Sequence, residues 1–356
     1  MTEAEWLSIG YEKNIIEIIN QEEIKFHDAY RAWFKMKMTC VKPGSLDRIE
    51  VTYNRYYDGH PISEKCISKI TEKDIIDFLT PIILSDARIT LKELQRILQI
   101  IRSTLIYFRD INKGGVCLYD WEKIKRYIPM DKLNTSRKQE SAVPAIQVEK
   151  LIEHVVKHKI YAQKQCGCLA LCMNFYLGLR IGELASLTFN DFDFEKGVIK
   201  IYKTESKYYE RLEDGSKIGC MVYRVVDSCK TVYSVREIPI LPEVKQFYEL
   251  IKEWHEVHKI ESPFLASDGD DVILVQSLAT TLRKLCELCD IPYFHSHMIR
   301  KTFATKLHFS GVPTRVVSDL MGHAEIGTTE NSYILSYGKN YQKVMEYMKN
   351  ALDYKL

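Results

Sequence analysis

The feature that most constrains this chain is the run CLALCMNFYLGL, residues 168 to 179, nearly unbroken in its apolar character and interrupted chiefly by Asn174. It is too short to cross a bilayer, which takes about 20 apolar residues. It therefore reads as an apolar helix, and Cys166, Cys168 and Cys172 read as structural buried thiols within it. The chain must turn at Gly178, and Arg180 and Glu183 follow at once. A length of 356 residues exceeds one ordinary core, so two domains are expected. The opening MTEAEWLSIGYEKN lacks the basic start and apolar stretch of a signal peptide, which points to the cytoplasm and to reduced thiols for the ten cysteines. The net charge of +2 does not announce a nucleic-acid partner. It averages over both faces, however, and leaves room for a basic groove.

Organisation follows from periodicity. Residues 1–25 hold a short helical segment around Ile15, Ile16, Ile18 and Ile19. The span 26–130 is helical: Ser45 is placed to cap a helix running through Tyr53 and Tyr57, and Thr71 to Asp74 has the form of a capping box. Leu94, Ile97, Leu98, Ile101, Leu105 and Phe108 repeat at three and four, which predicts an amphipathic helix. Residues 131–145 are polar and aperiodic and read as a linker. Helical patterns resume at Ile146 to Lys157 and Tyr161 to Tyr176. Val198 to Tyr202, Val222 to Val226 and Val235 to Ile238 then alternate like strands of one small antiparallel sheet. After Pro242 the pattern is helical again. The expected fold class is mainly α with a small antiparallel sheet in the C-terminal domain, residues 146–356.

Four pieces carry chemistry. Arg180 and Glu183 sit in Leu177-Gly178-Leu179-Arg180-Ile181-Gly182-Glu183-Leu184, which alone is as consistent with a surface ion pair at a helix start. Lys230 lies at a turn six residues before Arg236, ahead of Ile238-Pro239. His297 and Arg300 share one helical face, and an imidazole beside a guanidinium is disposed to stay neutral and accept a proton. Gly322-His323 is followed ten residues on by Tyr333.

In this order the pieces resemble the tyrosine recombinase (phage integrase) family, whose boxes are Gly-Leu-Arg-x-x-Glu, a hairpin lysine, His-x-x-Arg and Gly-His followed by tyrosine. The resemblance covers residues 146 to 340, and the helical region before it looks like the family's core-binding domain. It implies a two-domain, C-shaped clamp on double-stranded DNA and a homo-tetramer on that DNA, with accessory DNA-bending or excision factors as further partners and no membrane. It assigns catalysis to Arg180, Lys230, His297, Arg300, His323 and Tyr333, with Glu183 buttressing the Arg180 turn, and implies no cofactor and no metal. Two arginines would hold the non-bridging oxygens of a phosphodiester, whose charge grows as it is attacked. Tyr333 would attack it, its proton taken with help from His297, while His323 donates a hydrogen bond to the phosphate. Lys230 would protonate the departing 5′ oxygen. The 3′-phosphotyrosyl bond then conserves the energy for rejoining. Ile299 and Lys301 depart from the residues usual at their positions. Lys203 and Lys207 rival Lys230, because the connection from Lys203 to Val222 is longer than a minimal hairpin.

Cys286, Cys289, His295 and His297 have the residue types of a zinc site, but their spacing is short and both cysteines fall in a helical pattern. Two other functions compete with recombination: a type IB topoisomerase with the same nucleophile, and a DNA-binding regulator whose catalytic set is vestigial. Tyr333, Tyr337 and Tyr341 recur at helical spacing. The family spacing singles out Tyr333, on a helix that Thr328 or Thr329 would cap. Tyr341 to Leu352 forms an amphipathic tail, docked on its own domain or on a neighbouring protomer.

Overall fold

The computed structural model describes residue 18 and residues 23–111, 119–134, 142–158, 164–227, 235–269 and 274–322. Most of the segment 1–25, the centre of the 131–145 stretch and the tail from Tyr341 lie outside the described residues, as do Lys230, His323, Tyr333 and Tyr337. Contacts divide the chain into two compact units. One comprises Met1–Lys138 with Lys207–Val222, the other Gln139–Ser206 with Tyr223–Leu356. Among the described residues, no helix is long and apolar enough to cross a membrane.

The first unit is built on helices α1 (Phe26–Cys40), α2 (Pro43–Tyr56), α3 (Pro61–Glu64), α4 (Glu72–Ser85), α5 (Leu91–Asp110) and α6 (Trp121–Lys125). The spine is α5, whose residues Leu94, Ile97, Leu98, Ile101, Leu105 and Phe108 are buried as their spacing predicts. They pack with Phe26, Trp33, Tyr57 and Phe78, each such side chain contributing about 1.5–3 kcal/mol on burial. Tyr57 is wholly buried and its hydroxyl donates to the Ile97 carbonyl at 2.7 Å. The Thr71–Asp74 capping box forms, with the Thr71 amide donating to Asp74 at 2.7 Å. Ser45 is not a cap. The helix begins earlier, because Pro43 in the first turn has the backbone angle a helix start needs and no amide to satisfy.

The strands depart from the single sheet expected of them. β2 (Val198–Ile201) pairs antiparallel with β1 (Phe192–Asp193) and β5 (Arg236–Pro239), while Val222 to Val226 belongs to β4 (Lys217–Val226), which pairs with β3 (Thr204–Arg211) in a separate hairpin. The polar run of β3 hid this strand, since none of its residues is fully buried and it has no clean apolar alternation. The hairpin's outer part groups with the first unit, where Arg211 anchors it. Its side chain is 4% exposed, and the guanidinium donates to Asp47 at 2.6 Å and Glu50 at 2.9 Å and lies 5.2 Å from the Phe34 ring centre.

The second unit surrounds α8 (Gln165–Leu177), buried at every position except Tyr176. Around it pack α7 (Ala145–His158), α10 (Pro242–His258), α11 (Val275–Leu288) and α12 (Ser296–Phe309). The unit also carries α9 (Ile181–Ala185) and α13 (Thr314–Met321). Val143, within the stretch read as linker, is buried, and its amide donates to the Thr302 hydroxyl at 2.8 Å. Helix α8 stops at Gly178, which takes a left-handed φ of 62°, and a Cβ there would come within 2.3 Å of the Phe303 ring. Gly178→Ala therefore meets both backbone strain and overpacking, and should lower unfolding stability by about 2–5 kcal/mol in a denaturant melt. A loss under 1 kcal/mol would show that the ring moves aside cheaply.

Candidate active site

The end of α8 sets the site. Asn174, wholly buried, receives the Leu179 amide on its side-chain oxygen at 2.7 Å and donates its side-chain nitrogen to the Leu179 carbonyl at 3.2 Å. That double bond pair fixes the turn from Gly178 into Arg180. The Arg180 amide then donates to the Glu183 carboxylate at 2.9 Å, capping α9. Gly182 is required here because a Cβ would stand 2.5 Å from the Thr204 hydroxyl.

Glu183 is 3% exposed and lies between two guanidiniums. Arg180 donates to one oxygen at 2.8 Å; Arg236 donates to both, at 3.2 and 2.9 Å. Burial pushes the Glu183 carboxyl up, but hydrogen bonds and charge from Arg236, with the charges of Arg180 and Arg300, hold it below the ordinary value of 4.5.

Three guanidiniums also meet the last turn of α13. Arg236 donates to the Leu320 carbonyl at 2.7 Å, Arg300 to that of Met321, and Arg180 to that of Gly322 at 3.0 Å. Carbonyls at a helix C-terminus lack partners within the helix and carry partial negative charge, so cations are favoured there. Arg300 also donates to the Gly178 carbonyl at 2.8 Å and is only 1% exposed. Arg180 has a side chain 37% exposed, and is the guanidinium of the three that meets solvent. A bidentate hold on a phosphate by Arg300 requires the end of α13 to yield those bonds.

Among the residues expected at the site, Arg180 and Arg300 thus converge with Glu183. His297 lies in the first turn of α12 and is exposed, its ring 6.3 Å from that of His295. Lys230, His323 and Tyr333 lie outside the described residues. Of the rival lysines, Lys203 is paired with Asp191 at 2.9 Å and donates to the Thr188 hydroxyl at 2.9 Å with a side chain 11% exposed, while Lys207 is exposed on the hairpin. Cys286 and Cys289 are buried, and desolvation raises both thiols above their usual range. Among the described residues no three histidine, cysteine or acidic side chains gather to hold a metal ion. Asn174 and Arg236 are the contributors that sequence reasoning missed as such. The one signal for Asn174 was a lone polar residue in an apolar run; for Arg236 it was alternation with Ile238, which places both on one strand face.

The model of the phage integrase family matches residues 142–339. The chain belongs to the phage integrase family. A tyrosine recombinase XerC-like protein of Caldanaerobacter subterraneus subsp. tengcongensis is 29% identical over 201 residues, covering 52% of this chain and 48% of its own length. The transposase from transposon Tn916 of Enterococcus faecalis is 27% identical over 195 residues, covering 52% and 46%. The chain thus spans about half the length of these two curated relatives. The integrase of transposon Tn1549, solved in complex with circular intermediate DNA, superposes with a TM-score of 0.66 at 18% identity, covering 91% of this chain and 100% of the solved one. At that identity the likeness is one of fold, which this integrase-family chain shares.

Glu183 also yields a pH prediction. Its folded value lies below 4.5, so its contribution to stability is fully present above about pH 4.5 and is lost as the pH falls through the folded value. Glu183→Gln should cost about 3 kcal/mol at pH 7, because it leaves buried guanidiniums uncompensated. Thermal melts should show the gap to the parent narrowing below pH 4.5. A gap constant with pH would mean that the carboxylate charge is not what stabilises.

Proposed function

We propose that this chain is a site-specific DNA recombinase that integrates and excises a mobile element, cutting and rejoining double-stranded DNA through a 3′-phosphotyrosyl intermediate. The Tyr333 oxygen attacks the scissile phosphorus, the bond to the 5′ oxygen breaks, and Lys230 supplies the proton that the departing oxygen takes. Arg180 and Arg300 neutralise the charge that grows on the non-bridging oxygens, the term that usually lowers such barriers most. His297 assists the tyrosine proton, and His323 donates to the phosphate. Rejoining reverses these steps with a 5′ hydroxyl from a partner duplex. Two duplexes of two strands present four scissile phosphates, so four protomers act together as a homo-tetramer.

The observation that carries this reading is the convergence of Arg180 and Arg300, distant in sequence, on the carbonyls of Gly322 and Met321, directly before His323. The pairing of Lys203 with Asp191 supports Lys230 as the general acid, since a lysine held in a buried ion pair is poorly placed to give up a proton to substrate. Integrase-family membership and the DNA-bound state of the Tn1549 integrase point the same way.

The test uses the full chain and sheared genomic DNA from its own host. Detergent trapping followed by sequencing of protein-linked strands should return one recurring sequence joined through its 3′ phosphate to Tyr333. Tyr333→Phe should abolish the adduct, a loss of at least about 10³-fold, with DNA binding within about threefold of the parent. An adduct that survives Tyr333→Phe would show that another residue is the nucleophile.

A further inference from the structure

We propose that Arg236 is a positioning residue for DNA cleavage: by neutralising Glu183 it leaves the charge of Arg180 available to a scissile phosphate. The role rests on the recombinase reading above.

Arg236 opens β5, on the strand face it shares with buried Ile238, while Glu237 between them is exposed. Its side chain is 6% exposed, too enclosed to meet a phosphate directly. A guanidinium turned inward is costly unless paired, and this one is paired completely enough to define a task. It donates to both oxygens of Glu183 and, through Nε at 2.7 Å, to the Leu320 carbonyl. The Arg180 side chain, which stays 37% exposed, donates to the same carboxylate through a single guanidinium nitrogen, beside the bond from its own backbone amide. The forked grip that a carboxylate can accept is therefore held by Arg236, not by Arg180.

The charge balance gives this division its consequence. Glu183 is one negative charge shared by two guanidiniums, so the cluster keeps a net positive charge beside the solvent-facing arginine. Without Arg236, Glu183 and Arg180 would form a one-to-one pair, and the carboxylate would compete with the phosphate for Arg180 as charge develops. The bond to Leu320 adds a second effect, fixing the last turn of α13 that leads into His323.

The experiment measures single-turnover adduct formation and equilibrium binding on the duplex recovered by trapping from host DNA, with a thermal melt of each variant. Arg236→Met should slow adduct formation ~10²-fold while leaving the Kd within ~3-fold. The decisive variant is Arg236→Met combined with Glu183→Gln. Removing the uncompensated carboxylate should make it ~10-fold faster than Arg236→Met alone. A double variant as slow as Arg236→Met, or slower, overturns the proposal, because a merely structural arginine predicts added damage. Should Arg236→Met fail to fold, Arg236→Lys replaces it. That variant keeps the charge without the fork, so ~10-fold slower cleavage at unchanged Kd supports the role and the parent rate overturns it. No adduct from the parent chain would overturn the recombinase reading and this role together. An adduct that depends on Tyr333 but shows no recovery in the double variant overturns the role alone.

Discussion

A single buried carboxylate organises the candidate site of the second unit. Glu183 caps α9 through the Arg180 amide, holds the Arg180 side chain, and is itself gripped by Arg236 from β5. A carboxylate at 3% exposure is tolerable only with such compensation, and the same guanidiniums that compensate it tie a helix start, a strand start and the last turn of α13 to one point. Its burial and its partners explain why three elements remote in sequence meet there.

That arrangement depends on the packing behind it. Helix α8 is the buried axle of the unit, and its stop at Gly178 delivers Arg180 to the surface because the Phe303 ring occupies the space a side chain would need. Asn174 makes the turn rigid by satisfying both backbone groups of Leu179. Guanidiniums then replace water on the carbonyls at the end of α13. The charges of the site are thus held in place by the protein's own bonds, as the proposed stabilisation of a reacting phosphate would require. Arg300 departs from this: it is enclosed by the Gly178 and Met321 carbonyls, and the proposed hold on a phosphate would require those bonds to yield.

Much of this was legible in the sequence, for identifiable reasons. The spacing of Leu94 through Phe108 fixed the spine of the first unit, and the Thr71–Asp74 pattern fixed a helix start, because both are local signals. Arg180, Glu183 and Arg300 were legible through their motifs. The hairpin of β3 and β4 was not, because its stability comes from Arg211 meeting Asp47 and Glu50 far away in sequence, and its own residues are neither clearly apolar nor alternating. Arg236 was read only as a spacing marker: alternation with Ile238 marks the strand face it shares, but its partner Glu183 lies 53 residues away and no local pattern shows that pairing. Ser45 misled because its side chain is of a capping type, whereas Pro43 sets the start through backbone geometry.

Exchange of ends between two duplexes separates recombination from simple cutting and resealing. Two duplexes with different end labels, each carrying the trapped sequence, are mixed with the full chain in chelator and without nucleotide. A recombinase yields products that join one end of each duplex at the trapped sequence. Cut and resealed DNA with no exchange of ends would contradict the recombinase reading, and would mark an enzyme that relaxes DNA and does not recombine it.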